Sequence, residues 1–209
     1  MKSNTLLKIA NAVALIITIV MNALSNILPF NNVTTAEVSN SFPSLITPAG
    51  YVFSIWGLIY IALIAFVIYS FASRRANATV SAIGGLFVLS CMANSLWLVL
   101  FQYGYYVLSL LDMLVLLASL IVIYLRVQVV NKTAMPSEQP LGWFTGLPFS
   151  LYLGWITVAT AVNASVVLLS LGWNGAGLSS VLWAAASYLH LGFGRGRVVW
   201  YDRWIHRHF

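Results

Sequence analysis

Charge is scarce in this 209-residue chain: 7% of its residues are Asp, Glu, Lys or Arg, and only four are acids. A typical soluble domain carries about 25% charged residues and about 45–50% apolar ones. Here 61% are hydrophobic, more than a soluble domain of this size can hide, whereas a bilayer removes the need to hide them. Cysteine is limited to Cys91, which excludes an intrachain disulfide and any Cys/His metal spacing. Lying inside an apolar run, Cys91 reads as a buried structural thiol. The acids Glu37, Asp112, Glu138 and Asp202 are scattered along the chain. With no paired carboxylates and no Ser/His/Asp or Cys/His set, acid–base catalysis has little to work with, and an enzyme is not expected. Long polar stretches are lacking too. The two longest, Asn31–Pro48 and Asn131–Gly142, are too short to build a soluble core.

What the chain does have is six long apolar segments: Leu6–Ile27, Ala49–Ala72, Ala82–Phe101, Tyr106–Val127, Leu147–Leu171 and Leu178–Phe193. A helix needs roughly 20 residues to cross a hydrocarbon core of about 30 Å. Five segments meet that, and the sixth is shorter and carries His190. The runs are continuous rather than alternating, so they predict helices and not barrel strands. The expected class is all-α, a polytopic integral membrane helix bundle.

The basic residues set a direction. Lys2 and Lys8 precede or open the first segment, Arg74 and Arg75 follow the second, Arg126 and Lys132 follow the fourth, and Arg195, Arg197, Arg203 and Arg207 follow the sixth. In a six-span arrangement all ten fall on one side. Basic loops stay cytoplasmic, so both termini are expected inside. The net charge of +6 is therefore a topology signal, and no nucleic-acid partner is expected. The first segment, with its two lysines and Ala23-Leu24-Ser25, also resembles a signal peptide, but its apolar run is long for one. Compact loops and the lack of a transit peptide favour a prokaryotic inner membrane.

Three segments carry aromatic stripes. Trp56 and Tyr60 are four apart and share a helix face. Asn94, Trp97 and Phe101 follow at i, i+3 and i+7, and Trp155, Ala159 and Asn163 at i, i+4 and i+8. Amides in a membrane avoid lipid and face the bundle. Two readings stay open. Such faces suit a flat, largely apolar ligand that stacks and makes one or two hydrogen bonds; equally, Trp and Tyr form interfacial belts and Asn pins helices together.

These strings resemble a known family. Thr47–Tyr60 reads T-P-x-G-x-V-F-x-x-W-x-x-x-Y, Asn94–Phe101 reads N-x-x-W-x-x-x-F, and Trp155–Asn163 reads W-x-x-x-A-x-x-x-N with an Ala159-Thr160 pair. In this order they resemble the second, third and fifth helices of the TspO/MBR family, the tryptophan-rich sensory or translocator proteins. The resemblance covers about three quarters of the chain and implies a five-helix membrane bundle that binds porphyrins and other hydrophobic ligands. Carried over, it implies a pocket lined by Trp56, Tyr60, Asn94, Trp97, Phe101, Trp155 and Ala159, where a small side chain at Ala159 leaves room for a ligand. Asn163 joins as a liner or a helix contact. The first loop departs from the family pattern: it has no Trp and no Lys, and Pro48-Ala49 stands where Pro-Pro is common. The resemblance divides the chain into a five-helix bundle over residues 1–172 and, over residues 173–209, an extra transmembrane helix with a basic aromatic tail.

Other polar residues allow two readings each. Asp112, inside segment four, is a proton-coupling group or a contact for a ligand amine, or else lies near the interface and pairs with a hydroxyl. His190 is a haem ligand or a structural histidine. The tail, with Trp200, Tyr201, Arg203, Trp204 and Arg207, lies on anionic headgroups or is solvated.

The expectation is a membrane receptor or carrier for a hydrophobic planar ligand such as a porphyrin, engaged in tetrapyrrole transport or sensing. Its partners are that ligand and the bilayer, and a homodimer is left open. No cofactor is required, with porphyrin or haem as ligand. The alternatives are a proton-coupled transporter of a small solute using Asp112, and a non-catalytic scaffold. If Asp112 couples protons, Asp112→Asn abolishes pH-dependent uptake in a proteoliposome assay; unchanged uptake removes that alternative.

Overall fold

The computed structural model describes residues 2–42, 49–73, 76–134 and 140–173. The sixth apolar segment, His190 and the basic tail lie outside the described residues, as do Pro48, Arg74, Arg75 and Glu138. The described chain is helical, with no strand. Its α-helices are α1 Lys2–Ile27, α2 Thr35–Ser41, α3 Ile55–Ala72, α4 Ala76–Ile83, α5 Leu86–Gln102, α6 Tyr106–Ala134, α7 Pro140–Thr145 and α8 Leu147–Ser170. Four stretches are long and apolar enough to cross a membrane: Asn4–Ile27, Gly50–Ala72, Tyr106–Thr133 and Trp143–Ser170. The pair α4 and α5 passes the same test together, bent by 60°.

The bent pair departs from the uninterrupted segment Ala82–Phe101 that hydropathy predicts. The cause is backbone, not hydrophobicity. Gly84 adopts φ 54°, a left-handed conformation that closes α4 as a C-terminal glycine does, and its N–H donates to the Val80 carbonyl at 3.1 Å. Gly85 then starts α5 afresh as its N-cap. Arg126 on α6 donates to the Ala82 carbonyl at 2.9 Å, satisfying one of the acceptors that a helix end leaves open. The 17 residues of α5 span only about 25 Å at 1.5 Å per residue.

Side chains are sorted inside-out relative to a soluble bundle. On α1, Leu6, Ile9, Val13, Ile16, Val20 and Leu24 are exposed, while Asn11, Thr18, Asn22 and Ser25 are buried. Lipid accepts the first set and offers nothing to the second. On α6 the buried positions Ser109, Met113, Leu116, Leu120, Ile123 and Val127 follow a four–three alternation that keeps one seam against its neighbours, with Ser119 buried beside them. Phe149, Tyr152, Ile156, Ala159, Asn163 and Val166 repeat it on α8.

The long helices pack as a closed ring: α1 on α3, α3 on α8, α8 on α6, α6 on α5 and α5 on α1. Polar links run along α1 and α5. Asn22 Nδ2 donates to Asn94 Oδ1 at 2.9 Å, the Thr18 hydroxyl reaches the Cys91 carbonyl at 3.1 Å, and Gln102 Nε2 donates to the Ser25 carbonyl at 2.9 Å. Rising residue numbers pair with rising numbers, so α1 and α5 run parallel. Cys91 itself is buried and free.

Replacing Gly84 by Ala should lower stability by about 1–2 kcal/mol, the cost of a left-handed residue with a Cβ. Gly57 has open space around it, and Gly57→Ala should be neutral or stabilising. Reversible unfolding in mixed detergent micelles measures both; equal losses for the two would refute the backbone account of the bend.

Candidate functional site

The first loop holds a helix where the sequence reads simply as polar. Thr34 caps α2: its Oγ1 accepts from the Glu37 N–H at 3.2 Å, while the Glu37 carboxylate accepts from the Thr34 N–H at 2.7 Å. This reciprocal capping box holds the Glu37 carboxyl below its ordinary pKa, because the Thr34 N–H and hydroxyl stabilise the charged form. Upstream, Asn31 and Asn32 adopt positive φ, which Asn tolerates. Asn31 Nδ2 donates to the Gln102 carbonyl at 3.2 Å, tying the loop to the end of α5.

α2 lies across the ring at this end, packed on α5 and α8. Its buried face carries Thr35 and Ser39, one turn apart. Each looks into a different cavity. Ser39 roofs a central cleft walled by Trp56 from α3, Trp97 and Phe101 from α5, and Trp155, Ala159, Val162 and Asn163 from α8. Thr35 roofs a second cavity between α1 and α3, lined by Asn22, Ala23, Asn26 and Tyr60 among others. The central cleft is narrow, with a cavity volume of about 20 Å³, close to what one water needs. The second is roomier, at about 240 Å³. Phe53 and Trp56 line both and form the partition between them. Among the described residues no charged side chain lines either one.

The aromatic rings explain the narrowness. Trp56 stacks on Tyr60 (centroids 5.6 Å apart, planes at 19°) and meets Trp155 edge-on at 6.2 Å. Trp97 stacks on Phe101 at 5.2 Å, and Phe53 meets Trp155 edge-on at 6.0 Å. Such pairs contribute about 0.5–1.5 kcal/mol each beyond area burial. A flat molecule entering the cleft exchanges these ring contacts for its own.

Of the sequence-predicted residues, Trp56, Trp97, Phe101, Trp155, Ala159 and Asn163 come together around the central cleft. Tyr60 lines the second cavity instead. Asn94 lines neither; it is fully buried and engaged with Asn22. Asp112 is half-buried on α6, lines neither cavity, and its buried Oδ2 has no hydrogen-bond partner among the described residues. Sequence reasoning missed Phe53, Val162 and Ser39. Phe53 and Val162 sit three residues from Trp56 and Ala159, a spacing that places them on the same faces. Ser39 carries no comparable signal, since only the docking of α2 brings it in. Among the described residues no three His, Cys, Asp or Glu side chains gather as a metal site.

A closed ring of membrane-crossing helices around a capped aromatic cleft defines an integral membrane helix bundle. The chain belongs to the TSPO-like protein family, whose profile matches residues 8–199. No curated protein and no solved structure matches it.

The lowered Glu37 pKa fixes the sign of a pH effect on α2. Its contribution is present above the ordinary Glu value of 4.5 and is lost as pH falls through the lower folded value. Hydrogen exchange of residues 35–41 should therefore be flat from pH 7 to 5 and accelerate, once corrected for the intrinsic rate, only below the ordinary Glu value of 4.5. Thr34→Val should accelerate it throughout. An acceleration centred near pH 6 would contradict the capping account.

Proposed function

We propose that this protein is a membrane receptor or carrier that binds a hydrophobic, planar ligand, of which a porphyrin is the type, in the central cleft. The observation that carries the reading is the convergence of Trp56, Trp97 and Trp155 from three helices on one uncharged space under α2. Aromatic walls with a few polar groups are the usual chemistry of such sites, and the TSPO-like family supports membrane-bound ligand binding or transport. The lateral cavity behind Phe53 and Trp56 supplies the room into which the partition moves. The reading is non-enzymatic, since the chain's four acids lie on separate stretches. We further infer that both termini are cytoplasmic, from the distribution of Lys and Arg, and that the membrane is a prokaryotic inner membrane, from the compact loops. Asn94 acts by holding α1 against α5 through Asn22 rather than by touching the ligand.

Proton-coupled transport is the second reading, favoured by the unpartnered buried oxygen of Asp112. An intramembrane carboxylate is a functional candidate by default.

A protoporphyrin IX titration followed by tryptophan quenching tests the first reading. Wild type, an Asn94→Ala/Trp97→Phe variant and an unrelated membrane protein are run in the same detergent, and fitted affinities are compared. Saturable binding that weakens about tenfold in the variant is expected, from loss of the α1–α5 amide pair and one indole. Indistinguishable curves for all three would remove porphyrin as the ligand.

A further inference from the structure

The lateral cavity between α1 and α3 carries a polar pattern of fixed sign. Asn22 and Asn26 line it from α1, four residues apart and so on one face. Asn22 Nδ2 donates to the Thr18 carbonyl at 3.0 Å and to Asn94 Oδ1 at 2.9 Å. Asn26 Nδ2 donates to the Asn22 carbonyl at 2.8 Å and to Ser25 Oγ at 3.3 Å. A backbone carbonyl can only accept, so neither amide can be reversed. Both protons of each NH2 group are spent, and what each residue has left is Oδ1, an acceptor. Asn22 Oδ1 accepts from no described residue, and unlike Asn94 Nδ2 it is not sealed inside the protein. Tyr60 gives the cavity its ring, since its hydroxyl is sealed inside. The Thr35 hydroxyl, over the cavity from α2, can donate or accept.

The cavity's polarity runs the same way as the bilayer's. Asn22 and Asn26 stand near the end of the Asn4–Ile27 span, where hydrocarbon gives way to headgroups. Ile19 lies about 4.5 Å deeper than Asn22 at 1.5 Å per residue, and the rings of Phe53 and Trp56 form the wall from the α3 side. Ala23 and Asn26 are exposed, which places the mouth of the cavity on the lipid side of α1. Its volume of about 240 Å³ is far more than one water needs.

Two fixed acceptors decide what fits. A ketone, an ether oxygen or a carboxylate brings no proton to them. A cation meets two dipoles and no counter-charge, since among the described residues no acid lines the cavity, and an unpaired charge is costly to desolvate. A neutral head with two donors satisfies both oxygens. We propose that the lateral cavity is a second binding site that takes a neutral 1,2-diol amphiphile from the bilayer, its hydroxyls on Asn22 and Asn26 and its apolar stem along Ile19, Phe53 and Trp56. The site is separate from the central cleft and does not depend on what that cleft binds.

Four tritiated probes that share a decyl chain test this on the full protein in lipid nanodiscs. 1-O-Decylglycerol carries two hydroxyls, decan-1-ol one, decyl methyl ether none, and decylammonium a charge. Equilibrium dialysis against empty discs of the same lipid gives each affinity relative to partition into lipid. The diol should exceed the methyl ether by at least about fivefold, with the alcohol between them, and decylammonium should bind below the diol. Asn26→Leu should shrink the diol-to-ether ratio while leaving ether affinity within about twofold. Ala23→Phe obstructs the lateral cavity and should remove saturable diol binding, whereas Ala159→Phe narrows the central cleft and should keep it. Equal binding of diol and ether to the wild type overturns the donor requirement. Tightest binding of decylammonium overturns neutrality. Diol binding kept in Ala23→Phe but lost in Ala159→Phe puts the probe in the central cleft and overturns the assignment. A diol that shows no saturable excess over empty discs removes the lateral site, while the porphyrin titration still decides the central one. The wild-type ratio needs no variant, so a misfolded mutant cannot mask the result.

Discussion

Hydrocarbon gives a polar group nothing to bond, and that constraint organises the molecule. Buried amides such as Asn11, Asn22, Asn94 and Asn163 turn toward other helices, while hydroxyls such as Ser150 and Thr157 bond back to carbonyls of their own helix. α1 shows the rule at its plainest, with an Asn, Thr and Ser stripe inward and Leu, Ile and Val outward. Asn22 with Asn94 and Gln102 with the Ser25 carbonyl follow from the same rule. They fix how α1 and α5 align, and through α5 they fix where Trp97 and Phe101 point. Membrane hydrogen bonds of this kind contribute only about 0.6 kcal/mol each on average, so their main effect is register rather than raw stability.

The rule is relaxed at several places among the described residues, at Asn11, Tyr60 and Tyr152 as well as in the aromatic cleft. The Trp97 and Trp155 indoles sit among apolar rings with N–H groups unmade, each costing about 1–3 kcal/mol. Ring packing offsets part of this.

Much of this was legible in the sequence, because hydropathy and helical spacing are local properties. The spans at α1, α3, α6 and α8 follow from apolar run length, whereas the meeting of Trp56, Trp97 and Trp155 is what the family resemblance implied, stripe spacing alone leaving helix packing equally open. The break at Gly84 was not legible to hydropathy, since it depends on one backbone dihedral and leaves the apolar run unbroken. α2 was present as Thr34-x-x-Glu37, a capping box that a reading of the loop as merely polar passes over. The separation of Tyr60 and Asn94 from the cleft could not be read locally. One is turned toward α1 and the other taken up by Asn22, and both depend on which helices become neighbours. The sixth segment and tail lie beyond the described residues, and the family match runs through that segment to residue 199.

Phe53 and Trp56 face two cavities at once, and a shared wall has a thermodynamic consequence. Volume gained on one side is volume lost on the other, so the occupancies of the two chambers are linked with opposite sign. By reciprocity, whatever one occupant costs the other is charged equally in return. Two molecules that never touch, and share no contact except this pair of rings, would thus behave in a binding experiment as competitors.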